Sequence, residues 1–109
     1  MEKFFYIADI GTSNVGFSYP IEHLRGMHPA SDTTLNLYFT PIHEMGLAPD
    51  KDNDIFILTI TANKHKDVMQ SIVEAMNLEE NLIVIMDVDN SIVINSNISG
   101  FSFTLSSDV

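Results

Sequence analysis

The sequence predicts an α+β fold, mainly antiparallel β, arranged as a small sandwich or partly closed barrel. Three observations predict it. Short apolar runs recur along the chain, each bounded by Gly, Pro, Asn, Asp or Ser, which is the pattern of about six strands joined by hairpin-scale connections. Only one stretch, about residues 64–77, carries a sustained helical period. The order is strands, one helix, strands, so the helix must cover a sheet or plug its side. A ferredoxin-like βαββαβ layout is the runner-up. It needs a second long helix, and only 17–28 could supply one, where Pro20, Gly26 and Pro29 interrupt.

The elements follow in order. Residues 3–9 read as the first strand, and GTSNVG (11–16) as turn chemistry. The stretch 17–28 is open between a helical turn through Ile21, Leu24 and Met27 and a short edge strand. HPASDT (28–33) reads as a polar turn, and 35–40 as a strand with Leu35, Leu37 and Phe39 on one side, ended by Pro41. Residues 41–54 hold two prolines, a glycine and four acids, and are the longest expected loop. The strand at 54–61 is apolar at Ile55, Phe56, Ile57, Leu58 and Ile60, without in/out alternation, as for a strand buried on both faces. The helix places Val68, Met69, Ile72, Val73 and Met76 on one face, with Asn63 as N-cap and Asn77 as stop. Residues 82–88 form another strand without alternation, Asp89-Asn90 a hairpin tip, 91–95 the return strand. In 98–105, Phe101, Phe103 and Leu105 face in while Ser102 and Thr104 face out.

With 109 residues the chain is one domain, 1–109, with no linker, repeat or low-complexity segment. Its formal net charge is −10, from 15 acids and 5 bases. That argues against a phosphate-tracking nucleic-acid surface and against an anionic membrane. Charged residues are 18% of the chain, below the usual quarter, so part of the surface is expected to be neutral or shared with a partner. With no cysteine, thiolate metal sites, disulfides and cysteine nucleophiles are excluded. The first apolar run, Phe4 to Ala8, is five residues, too short for a signal or a span, so the expected location is cytoplasm or virion and no membrane is involved.

Motifs for chemistry are absent. GTSNVGFS has P-loop glycine spacing, but Phe17 stands where the lysine must be. Asp50, Asp52 and Asp54 alternate as in calcium loops, yet Ile55 and Thr61 occupy the positions that need Gly and Glu. His23, His28, His43 and His65 form no zinc spacing, and no GxSxG elbow occurs. The expectation is therefore no catalytic residue, no metal and no cofactor. A dispersed enzyme site, least favoured, would draw on His43, Glu44 and His65. One oddity carries physics. Lys64, His65 and Lys66 open the helix and Glu79 and Glu80 follow it, the reverse of the order the helix dipole favours. Lys64, His65 and Lys66 are the candidate binding residues, as a seat for an anion or for the carboxylates of a second subunit.

Three segments together, Ser31-Asp32-Thr33-Thr34-Leu35-Asn36-Leu37-Tyr38-Phe39, Leu58-Thr59-Ile60 into His65-Lys66-Asp67-Val68-Met69, and Asn90-Ser91 with Asn97-Ile98-Ser99, resemble small proteins of unknown function encoded by marine tailed phages. The resemblance implies phage or marine origin and a role in the particle or its assembly, and brings no catalytic residues. The architecture is also similar to small Sm-like barrels, which form rings, although their helix comes first and this one sits mid-chain. The expectation is a non-enzymatic, homo-oligomeric structural or assembly protein, with a ring as one form. The alternative is a module binding a small ligand or a peptide strand at an open sheet edge or a cleft under the 41–54 loop.

Overall fold

Alternation of apolar and polar side chains builds the molecule, even where the sequence hides it. In the computed structural model, which describes residues 3–41, 53–78 and 81–105, β4 (Thr34–Phe39) turns Leu35, Leu37 and Phe39 inward. Its neighbour β5 (Asp54–Ile60) turns Asp54, Phe56, Leu58 and Ile60 inward and leaves Ile55, Ile57 and Thr59 outward. The expectation of a β5 buried on both faces is thus corrected. Ile55 and Ile57 are half-buried on a sheet face flanked by Tyr38 and Asn36 on one side and Thr104 and Ser102 on the other.

The remaining elements are β1 (Phe4–Asp9), α1 (Ile10–Ser13), β2 (Val15–Pro20), β3 (Leu24–Ser31), α2 (His65–Met76), β6 (Leu82–Asp87), β7 (Ile92–Val93) and β8 (Ile98–Thr104). They form two four-stranded sheets, ordered β2-β1-β6-β7 and β3-β4-β5-β8. Every pairing is antiparallel except β1 with β6, which run parallel, a crossover that the antiparallel expectation missed. The described strands make two open sheets rather than a closed barrel. The inner faces share one core, knit by rings: Phe5 meets Phe39 at 5.9 Å, Phe17 meets Phe56 at 5.0 Å, and Tyr19 stacks on Phe39 at 4.4 Å.

The ambiguous stretch 17–28 resolves into both of its alternatives. A 3₁₀ turn at Ile21–His23 carries the chain from β2 in the first sheet to β3 in the second. Pro20 closes β2, where its missing N–H costs little at a sheet edge. The polar turn shrinks to Asp32 and Thr33, because β3 runs on to Ser31. The turn expected at 11–16 is replaced by the end of α1, Asn14 in the left-handed region at φ 55°, and the start of β2.

Helix α2 follows β5 and precedes β6, so it bridges the two sheets. Val68 and Ile72 are its fully buried residues, worth roughly 1.5–3 kcal/mol each in transfer terms. Val73, expected on the buried face, is half exposed, and Ala75 takes the inner position. The N-cap is Lys64 rather than Asn63. Asn63 lies in the turn at φ 64°, and its N–H donates to the Asp32 carbonyl. At the other end Asn77 stops the helix as expected. There Lys3 Nζ donates to the carbonyls of Met76 and Leu78, favourable for a cation at a helix C-terminus.

Candidate interaction surface

The strands carry few charges, and these lie off the outward faces. Asp9, Asp54 and Asp87 stand at strand ends with inward parity, and Arg25 lies at a β3 register shift. Arg25 turns aside to Thr40 Oγ1 (3.0 Å) and Asn53 Oδ1 (2.8 Å). The second sheet presents Asn36, Tyr38, Ile55, Ile57, Ser102 and Thr104 outward. The first presents Phe4, Tyr6, Ser18, Leu82 and Val84. In a chain of net charge −10, both outward faces are free of Asp, Glu and Lys, and the base they carry is the imidazole of His28, paired with Asn36. Interfaces are depleted of charge at their centres in the same way.

The first sheet adds an open edge. β7 pairs only with Met86 and Asp87, extended by the Ile94 N–H to the Ile85 carbonyl. Residues 82–84 of β6 therefore have β1 on one side and no described strand on the other. The Phe4 N–H bonds to the Asn81 carbonyl, so strand alternation turns the N–H and C=O of Leu82 and Val84 toward that open side. Beside it runs a groove of about 400 Å³ lined by Ala75, Leu78, Leu82, Ile83, Val84 and Ile92–Ile94, all apolar. Leu78 is 56% exposed, Leu82 48% and Ile92 49%, so large apolar side chains ring an edge that no described strand covers. Sequence reading missed this patch. Its signals were Leu78 just past the helix stop and the outward parity of Leu82 with Val84.

The sequence candidates sit elsewhere. Lys64 and Lys66 are exposed at the start of α2, which has no side-chain cap. His65 has a structural bond: its Nε2 lies 2.7 Å from the Ser31 carbonyl and 3.2 Å from that of Thr34, so it donates and moors the helix to the β3–β4 turn. The three residues are thus adjacent, with His65 tied down and the lysines outward. His28 is exposed and His23 half-buried, while His43, Glu44, Asp50, Asp52, Glu79 and Glu80 lie outside the described residues.

Further recesses lie among the described residues. A cleft of about 320 Å³ opens between the sheets, lined by Asp9, Val15, Met86, Val88, Ser99, Gly100, Phe101 and Phe103. A polar one follows α2, where Asn95 Nδ2 donates to the Asp67 carbonyl (3.2 Å) and Ser71 Oγ (2.8 Å) and pins the 94–97 segment to the helix. Among the described residues no group of three acids and histidines is placed to hold a metal, and no helix is long and apolar enough to cross a membrane. Comparison of the chain with protein-family models, with curated proteins and with solved structures found no match.

Proposed function

We propose that this chain is a non-enzymatic structural protein that assembles with copies of itself. The observation that supports it best is the absence of charge from both outward sheet faces of a chain whose net charge is −10. Solubility alone would favour acids spread over those faces, and their confinement to strand ends and connections suits contact with another subunit. The resemblance to small proteins of marine tailed phages makes the particle or its assembly the setting of this proposal. Light scattering at micromolar concentration tests it. A mass above 12.2 kDa that falls on dilution is expected, and a single sharp monomer mass overturns it.

A second reading, a small-ligand module, has the cleft between the sheets in its favour. Phe101, Phe103 and Met86 with Asp9 would suit an amphipathic organic cation. A rise in melting temperature with such amines, lost in Phe101→Ala, would support it over assembly.

A further inference from the structure

We infer that the cleft between the sheets binds an arylalkyl amine, its ring against Phe101 and its ammonium at Asp9, and that the bound amine clips one sheet to the other. This rests on the ligand-binding reading and deepens it, by naming the ligand's shape, its orientation and what its binding does. Strand order places the cleft. β1 and β6 are the parallel pair, and the chain leaves β1 toward β2 on one side and β6 toward β7 on the other. Such a reversal leaves a crevice outside the carboxyl ends of the parallel strands, where open sheets of parallel strands hold ligands. Asp9, the last residue of β1, and Val88, the first after β6, both line the cleft. Asp89 accepts from the Ile10 and Gly11 N–H groups, so one carboxylate ties both of these lips together.

Side-chain size makes the space. Along β2 the Phe17 ring fills the gap between the sheets, reaching Phe56 at 5.0 Å and Phe103 at 4.9 Å. The next inward register pair, Val15 with Asp9, carries two short side chains, and the gap opens there to about 320 Å³. That volume is at the low end of small-ligand sites, so it suits one ring on a short arm. Phe101 and Phe103 form the opposite wall, stacked with centroids 6.5 Å apart, and a ligand ring packs against them. Charge sets the head group. The lining holds one carboxylate, Asp9, and no base, in a chain of net charge −10. An anion would meet like charge, a neutral ring would gain nothing from the carboxylate, and a cation is drawn both to Asp9 and to the phenylalanine faces. Asp9 and Val15 belong to the first sheet and Phe101 and Phe103 to the second, so the occupant touches both.

The test is an NMR titration of the full chain with phenethylamine and, separately, with phenethyl alcohol as its neutral counterpart, with thermal melts on the same samples. The amine is expected to move the amide signals of Val15, Val88, Gly100 and Phe101, and to raise the melting temperature. It is expected to bind roughly tenfold more tightly than the alcohol, a preference that shrinks as salt rises. Asp9→Asn is expected to bring the two ligands to equal affinity. Should that variant fail to fold, the salt dependence of the wild-type preference carries the same test. Equal binding of amine and alcohol by the wild type overturns the head-group assignment and leaves a ligand-binding cleft standing. A preference that survives Asp9→Asn overturns the orientation. Signals that move only outside the cleft, or that neither compound moves, overturn the inference and the ligand-binding reading together.

Discussion

Tyr19 Oη donates a 2.7 Å hydrogen bond to Asp54 Oδ2, joining β2 of one sheet to the first residue of β5 in the other. Both residues are buried, inside a cluster of phenylalanine rings. Burial first, then the hydrogen bond and charge of Asp54, hold the Tyr19 phenol far above its usual range. Tyr19→Phe keeps the ring and removes a bond to a buried carboxylate, so a loss of about 1–3 kcal/mol in urea unfolding is expected.

The same pair sets a pH dependence. Below the ordinary tyrosine value of about 10 the phenol is protonated folded or unfolded, and its contribution is fully present. Above it the unfolded chain releases the proton while the folded chain keeps it, so stability falls as pH rises. The wild type is expected to lose stability more steeply than Tyr19→Phe above about pH 10, with the midpoint of urea unfolding as the measurement. Equal slopes would separate the phenol from alkaline unfolding.

Phe56 has ring contacts with Phe17, Tyr19, Phe39, Phe101 and Phe103, and so ties β2 to three strands of the opposite sheet. Phe56→Ala is expected to cost about 3–5 kcal/mol, enough to unfold a marginal domain. Phe56→Leu should recover most of that loss if packing volume is the cause. Thermal melts of the two variants side by side check it.

Asp89 accepts from the N–H of Ile10 (2.9 Å) and of Gly11 (2.7 Å), so a side chain after β6 caps the helix after β1. Asp89→Ala is expected to cost about 1 kcal/mol, as lost caps do. A Cβ on Gly11 would stand 2.5 Å from Asp89 Oδ1. Gly11→Ala should therefore destabilise the wild type more than it destabilises Asp89→Ala, a coupling that a double-mutant cycle reads directly.

Lys64 and Lys66 oppose the dipole of α2, and neither side chain bonds a described residue. Lys66→Glu is expected to raise stability by about 0.3–1 kcal/mol at low salt, with the gain shrinking as salt rises. If the oligomer mass also stays unchanged, these lysines are not where copies meet.

Much of the fold was legible because its signals are local. Period two in Leu35, Leu37 and Phe39, the helical period from Val68 to Met76, and the alternation of Phe101 and Phe103 all survive in the structure. β5 misled because Ile55 and Ile57, though outward, are apolar, so hydrophobicity alone could not show which face was inner. β2 and β3 were obscured because Pro20, Gly26 and Pro29 mark breaks, and edge strands tolerate them. The candidate site was the least legible part. An open strand edge is a property of what fails to pair, and the brevity of β7 is set by the 3₁₀ turn at Val88–Asn90 and by Ser91 at φ 56°, not by any motif.

The parallel pairing of β1 with β6 also orders events in time. Phe4 pairs with Leu82, so β1 gains one of its two neighbours only after β2, β3, β4, β5 and α2 have been made. β1 and β2 can close early as a hairpin, but one side of β1 then waits, with Phe4, Phe5, Tyr6 and Ile7 beside unpaired backbone. Such long-range closure is slow, and the waiting edge is open to the wrong chain. Refolding yield should therefore fall with protein concentration more steeply than native stability would suggest, and crowding during synthesis is when this molecule is most exposed to mispairing.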